Sequence, residues 1–357
     1  LNLFATLTTT SCLKSETAVS SMPEPMIEHQ DNAEPPTTPE LLPPVEPPSA
    51  KFIVQLFVVP GLIVALIVGV WLLFGKLASA EQDWQALLAD MKSGNEHRRG
   101  RATHGLATAL SADQHRTDDG PRLATNPQVA QELSNFLRES LANPSQDKAV
   151  IAQQEYLARA VGLLDLPEIV FPVLREAMQP KHDLEVRKNA VLAVAMIADR
   201  ARNRGTTLSG EGIVDEITAV GRDDNPLLRS VAAATLGLFA YETTKQPLSV
   251  LLADTDANTR INAALGFARQ SSLDGLPVLR AVLQEAAATS IAAPAGDASP
   301  VAVSNSLKAV GNLKNAIDAD TRSELFKVIE TISQKYPDAR VRFDAAQTLS
   351  RLRAPAS

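Results

Sequence analysis

The stretch Asp256-Ala257-Asn258-Thr259-Arg260-Ile261-Asn262-Ala263 recurs along the chain with its acid, arginine and alanine in the same places. Asp183-Leu184-Glu185-Val186-Arg187-Lys188-Asn189-Ala190 is one copy, and Asp338-Ala339-Arg340-Val341-Arg342-Phe343-Asp344-Ala345 is another. Asn225-Pro226-Leu227-Leu228-Arg229-Ser230-Val231-Ala232 is a fourth, with asparagine in the acid position, and Asn95-Glu96-His97-Arg98-Arg99-Gly100-Arg101-Ala102 a fifth. Their arginines are separated by 88, 42, 31 and 82 residues. The two long gaps are about twice 40, and each holds a helical stretch to fill the missing slot. One runs from Gln146 to Leu164 and the other from Pro300 to Leu313; neither carries the arginine. The repeating unit is therefore roughly 30 to 44 residues, present some six or seven times.

Periodicity makes these units helical. Trp84, Leu87, Leu88 and Met91 fall at helical spacing, as do Ile261, Ala264, Leu265 and Ala268, and Leu228, Val231, Ala232 and Leu236. No alternating pattern rises above them. Breaks are expected at Asn143-Pro144, Gln179-Pro180, Asn225-Pro226, Gln246-Pro247 and the small-residue segment from Thr289 to Pro300. This predicts an all-α domain of about twelve to fourteen helices, each of about ten to eighteen residues. Aromatic residues make up 4% of the chain, so the core is built from alanine, leucine and valine, which suits closely spaced helices.

Each position in the repeat has a mechanical reading. The leading Asp or Asn caps its helix by accepting from free backbone N–H groups. The arginine one turn on is expected to reach the corresponding acid of the next repeat in a charge-assisted ladder. That ladder comprises Asp183, Arg187, Asn225, Arg229, Asp256, Arg260, Asp338 and Arg342. Small residues follow at Ala232-Ala233-Ala234, Ala263-Ala264 and Ala345-Ala346, with Leu236-Gly237 and Leu265-Gly266 after the first two. They allow neighbouring helices to approach closely. A single hairpin has too little core to fold alone, so the units must stack.

With these acids, arginines and alanines in register, residues 82 to 353 resemble the HEAT-repeat family, in the short variety also found in phycobilin lyases. The resemblance implies a right-handed α-solenoid of helical hairpins whose second helices line a concave face, commonly used to hold protein partners. It also implies an alternative: an enzyme or enzyme subunit of the chromophore-lyase type that binds a small ligand on that face.

Ahead of the repeats, residues Phe52 to Phe74 read FIVQLFVVPGLIVALIVGVWLLF without one charge, between Lys51 and Lys76. As a helix this run is roughly 35 Å long, enough to cross a hydrocarbon core of about 30 Å. Trp71 stands near one end, where an indole favours the headgroup layer, and Pro60-Gly61 is expected to kink the first half. Residues 22 to 49 contain nine prolines and bury too little to offset chain entropy, so residues 1–50 read as a disordered acidic tail. The expected organisation is 1–50 tail, 51–77 transmembrane helix and 78–357 solenoid. Ala78-Ser79-Ala80 offers a rival reading, a signal sequence cleaved after Ala80, although the apolar run is too long and too far from Leu1 for that. Met22 and Met26 are alternative starts, which peptide mapping of the mature N-terminus distinguishes.

Beyond residue 77 the charges number 31 basic and 34 acidic, a balance that argues against nucleic acid. Cys12 is the only cysteine, so neither disulfides nor thiolate metal sites hold the fold. His97 and His104 lie seven apart, but no third ligand stands at metal spacing. Asp223-Asp224 and the pair Asp254 and Asp256 sit at helix starts, where capping accounts for them before acid–base chemistry does. Arg98-Arg99-Gly100-Arg101 is the densest basic cluster, read as a solvated helix face or a contact for anionic headgroups. No catalytic, cofactor-binding or metal-ligating set is expected. The reading is a membrane-anchored scaffold with a protein partner on the concave face and the bilayer around Phe52–Phe74. Lys76, Lys92, Arg98, Arg99 and Arg101 outnumber Lys51 and Lys14 around the anchor, which favours a cytoplasmic solenoid.

Overall fold

A computed structural model describes residues 50–78, 84–114, 116, 120, 122–142, 146–289 and 299–353. The proline-rich tail before Ala50, Ala80, the Asn143-Pro144 break and most of the Thr289–Pro300 segment lie outside these residues. The chain divides into two compact units, Leu1–Leu77 and Ala78–Ser357.

In the first unit, α1 (Ala50–Ala78) is a continuous helix of 29 residues with Pro60 inside it. Its segment Val54–Trp71 is long and apolar enough to cross a membrane, and none of it is buried against protein. Phe57 is 71% exposed and Trp71 73%. A helix that presents apolar groups on every face has no amphipathic side to lay on a core.

The second unit is entirely helical among the described residues. It opens with α2 (Trp84–Met91), α3 (Glu96–Gln114), a single 3-10 turn at Leu123–Thr125, and α4 (Pro127–Leu141). There follow α5 (Lys148–Val161), α6 (Pro167–Ala177), α7 (Leu184–Asn203), α8 (Ile213–Val220) and α9 (Pro226–Leu236). The chain then forms α10 (Tyr241–Leu251), α11 (Ala257–Arg269), α12 (Leu276–Ala288), α13 (Pro300–Asn312), α14 (Ala319–Lys335) and α15 (Ala339–Arg353). The two slots without the arginine are filled by α5 and α13. One expected break does not occur. Pro247 lies inside α10, where its ring removes one helical hydrogen bond without ending the helix, because Thr244 before it and Leu248 and Leu251 after it are all buried.

Successive helices pair as antiparallel hairpins, and the hairpins stack in two layers. One layer runs α3, α5, α7, α9, α11, α13, α15, each packed on the next; the other runs α4, α6, α8, α10, and then α12 with α14. The alanine three residues after each repeat arginine points between the layers. Ala190, Ala232, Ala263 and Ala345 are all fully buried. The interior divides into two apolar clusters that meet at α11: Ala263 and Phe267 belong to the first, Ile261, Ala264, Leu265 and Ala268 to the second. A close crossing lies between α9 and α11, at Gly237 and Gly266. A Cβ on Gly237 would stand 2.3 Å from the Gly266 Cα. Gly237 has ordinary helical φ, −65°; it is glycine for proximity, not for backbone freedom.

Candidate functional site

The four strongest repeat copies begin with side-chain caps. Asp183 Oδ1 accepts from the Glu185 N–H at 2.8 Å, and Asn225 Oδ1 from Leu227 at 2.9 Å. Asp256 Oδ2 accepts from the N–H and the hydroxyl of Thr259, each at 2.8 Å. Asp338 Oδ1 accepts from Arg340 at 2.8 Å and Val341 at 3.1 Å. The caps are therefore committed to their own helices.

The arginines do something the spacing did not foretell. Arg229 Nη1 folds back to the carbonyls of Asp223 and Asp224, at 3.0 and 2.9 Å. Arg260 Nη1 does the same to Asp254 and Thr255, at 2.8 and 2.9 Å. Arg342 Nη1 repeats it on Tyr336 and Pro337, at 2.7 and 2.8 Å, and Arg99 Nη1 reaches Ser93 at 3.3 Å. The conserved geometry within this chain is a guanidinium closing the turn just before its own helix, where carbonyls otherwise lack donors.

A ladder between repeats exists over part of the stack, and its acids are not the caps. Arg187 Nη2 donates to Asp223 Oδ2 at 2.6 Å, with its Nε on the Met178 carbonyl at 3.0 Å. Arg229 grips Asp254 with a two-pronged contact, Nε to Oδ2 at 2.8 Å and Nη2 to Oδ1 at 2.9 Å. Asp223 and Asp254 stand two residues before the caps Asn225 and Asp256, and each also accepts its cap residue's N–H, at 2.9 and 2.8 Å. The inter-repeat partners placed on Asn225 and Asp256 are thus corrected to Asp223 and Asp254: a cap oxygen already engaged on a helix end is turned away from the neighbouring repeat. Arg260 and Arg342 end on carbonyls. Asp183 and Asp338 serve as caps. The hidden signal was the doublet Asp-x-Asn at 223–225 and Asp-x-Asp at 254–256.

Electrostatics follow these contacts. Burial pushes the Asp223 carboxyl up, but the Asn225 N–H and the Arg187 guanidinium together pull it below the ordinary value. The Arg229 hydrogen bonds hold Asp254 down against its burial, and Asp254 in turn raises Arg229. A second arginine site pins the turn after α5: Arg200 Nε meets Asp165 Oδ1 at 2.8 Å and Arg204 Nη1 meets Oδ2 at 2.6 Å. Arg200 Nη2 also donates to the carbonyls of Gly162 and Leu164, at 2.8 and 2.9 Å.

The described surface also has an open groove of about 590 Å³ between α3 and α5, lined by Ala107, Thr108, Ser111, Ala112 and Tyr156. The Tyr156 hydroxyl lies 3.3 Å from His104 Nδ1, and burial raises the phenol despite the nearby Arg159 charge. His97 is exposed on the same helix. In the basic cluster, Arg98 pairs with Asp90 at 3.2 Å, while Arg101 is exposed.

His182, in the turn between α6 and α7, is enclosed, its side chain 1% exposed and its Nε2 3.6 Å from Glu176. Burial first, then the Lys181 charge, holds its imidazole below the ordinary value, against the pull of Glu176. The unfolded chain therefore takes up this proton at about pH 6.5 and the folded chain only at lower pH. Stability falls as pH drops below about 6.5, by at most about 1.4 kcal/mol per pH unit, until the folded group also titrates. Urea unfolding at a series of pH values is expected to show this slope, and His182→Gln to remove it.

A family model described as HEAT repeats matches residues 214–299. No curated protein matches the chain. Among solved structures, Escherichia coli YibA is 14% identical, over 78% of this chain and 96% of its own, with a TM-score of 0.40. A designed armadillo repeat protein is 18% identical over 69% and 99%, with a TM-score of 0.37. The CpcE–CpcF complex of phycocyanin lyase from Nostoc is 13% identical over 75% and 94%, with a TM-score of 0.40. At these scores the likenesses bear on neither activity nor partner. The stretch that this family model matches carries α8 to α12 and the bidentate Arg229–Asp254 rung.

Proposed function

We propose that this chain is a single-pass membrane protein that holds a HEAT-like helical stack at the bilayer as a platform for a protein partner. The observation that carries the anchor is that Val54–Trp71 is long and apolar enough to cross a membrane and that its residues are exposed throughout. Leaving that many large apolar side chains in water costs roughly 1.5–3 kcal/mol each relative to burial. Lipid removes the cost. The platform reading is supported by how the repeat polar groups are spent: Arg187, Arg229, Arg260 and Arg342 all bind turns or rungs of the stack itself. The motif builds a surface and leaves the chemistry of that surface to other residues. Tethering then works by raising the local concentration of whatever the stack holds.

Carbonate-washed membranes are expected to retain the full chain, and replacement of Ile63 and Ile67 by glutamate to release it. Release of the wild type by carbonate overturns the anchor. A reporter fused after Ser357 reports orientation: activity on the cytoplasmic side supports the direction that the flanking basic residues favour. The second reading, a small-ligand protein of the chromophore-lyase type, rests on the α3–α5 groove with its Tyr156–His104 pair. Submicromolar binding of a linear tetrapyrrole, lost in Tyr156→Ala, replaces the platform reading with that one.

A further inference from the structure

Ala107, Thr108, Ser111 and Ala112 lie on one side of α3 and line the groove there, with Tyr156 of α5 opposite them. Side chains this short leave a trough of about 590 Å³ between the two helices. The alanine methyls and the Tyr156 ring make its surface apolar. The same side of α3 carries His104, Arg101 and His97 toward its N-terminus, at successive helical turns. All three are exposed. From His97 to Ala112 the helix has no acidic residue. The next one, Asp113, is buried and accepts the Ala124 N–H at 3.0 Å. On α5, Arg159 is also exposed, 6.0 Å from the centre of the Tyr156 ring, and it meets Glu155 only at 4.0 Å. The Tyr156 hydroxyl, 3.3 Å from His104 Nδ1, joins the basic stretch to the trough.

An apolar recess beside cations selects a ligand that is apolar and anionic at once. Apolar side chains gain by leaving water for the recess. Exposed guanidiniums pair with carboxylates in two-pronged contacts and steer oppositely charged partners. A protein segment that carries an apolar side chain between carboxylates uses both features. An anionic headgroup surface uses the basic stretch alone and leaves the recess unfilled. Nucleic acid is disfavoured by the balance of 31 basic and 34 acidic residues beyond residue 77.

We propose that the α3–α5 groove is where the platform holds its protein partner, and that the occupant is an acidic segment with an aromatic or leucine side chain seated against Tyr156. The assignment rests on the platform reading above and adds the partner's chemistry to it. Arg101 on α3 and Arg159 on α5 receive the flanking carboxylates. The seated side chain covers Ala112, which α3 otherwise leaves exposed.

The test uses the full chain in dodecylmaltoside micelles, with the fluorescein-labelled peptide DEFEEL as probe and anisotropy as readout at constant ionic strength. The wild type is expected to bind it roughly tenfold or more tighter than the counterpart DEGEEG, which keeps the charges and lacks the apolar side chains. Ala112→Phe fills the groove from an exposed position and is expected to weaken DEFEEL binding by roughly tenfold or more, the loss of one seated side chain. Arg101→Glu combined with Arg159→Glu is expected to weaken it as much, whereas Arg138→Glu, on α4, stays within about twofold. Thermal midpoints check that each variant is folded, and either the groove variant or the charge variant decides the question alone. No binding of DEFEEL by the wild type at millimolar peptide overturns the proposal. Equal binding of the two peptides, or equal loss in Arg138→Glu, also overturns it, because either reports charge attraction alone, as a headgroup surface would supply. Submicromolar tetrapyrrole binding that Ala112→Phe blocks, with no peptide bound, gives the groove to the second reading and removes both this site and the platform. If the chain crosslinks in cells to one protein and Ala112→Phe leaves that crosslink intact, the platform reading stands and this site alone falls.

Discussion

Gly237→Val is expected to unfold the middle of the stack at temperatures where the wild type remains intact. The first carbon of any side chain at 237 stands 2.3 Å from the Gly266 Cα and 3.3 Å from the Gly266 carbonyl carbon, both backbone atoms of α11. Carbon atoms make favourable contact near 3.5–4.0 Å, so α9 and α11 must part by more than an ångström. No side-chain rotation relieves it. Separation strips contacts from the fully buried Leu236, Phe239 and Phe267 around the crossing. Gly237→Ala alone is expected to cost about 3 kcal/mol, at the upper end for overpacking, and the valine more than about 4 kcal/mol. Gly100→Ala, inside α3 with nothing within 4 Å of a new Cβ, is the matched control and is expected to stabilise by up to about 1 kcal/mol. Far-UV circular dichroism melts of the three variants check this order. A Gly237→Ala melt that overlays the wild type removes the close crossing from the account.

The second large effect is expected at Asp254. Arg229 and Asp254 are 15% and 10% exposed at their side chains, so the pair is mostly removed from water. Asp254→Ala leaves the guanidinium with carbonyls alone, and the Asp256 N–H loses its acceptor as well. Truncating one partner of such a pair costs about 3 kcal/mol, more than forming it contributes. Replacing both, as Arg229→Met with Asp254→Leu, is expected to cost less than the sum of the single changes. Acid acts on the same rung. The folded Asp223 and Asp254 titrate below their unfolded values, so their contribution is fully present above about pH 4 and is lost as pH falls through the folded values. His182 begins to act at higher pH, near its unfolded value of about 6.5, so the onsets of the two effects are separable in one pH series. A double-mutant cycle by urea unfolding, run at neutral pH, measures the coupling. A coupling below about 0.5 kcal/mol makes the rung dispensable.

Much of the architecture was legible because repetition averages out local ambiguity. One Asp-x-x-x-Arg-x-x-Ala copy is weak evidence for anything. Several in register define a helix start, a capped first turn and a buried small residue, all local properties of the chain. The helices α5 and α13 were placed by counting, although they lack the motif. Pro247 was misread because the proline rule is local, and the apolar contacts that hold α10 through it are not.

The functional face was far less legible. The repeat arginines and acids were visible, but which acid each arginine reaches depends on how one hairpin rotates against the next. Asp223 and Asp254 look like surplus carboxylates beside their caps until the neighbouring helix is in place.

From residues alone followed the all-helical repeat, its unit length, the caps and one membrane-length apolar helix, because each is set by contacts within a turn or two. Only the tertiary structure decided which equivalent positions are covered. Ile261 and Phe343 each follow a repeat arginine, yet Ile261 is 6% exposed and Phe343 67%. The difference is that α11 is packed between α9 and α13, while α15 packs on α13 and α14. A side chain's burial in a stack belongs to the neighbouring repeat, and that neighbour is not written at the position itself.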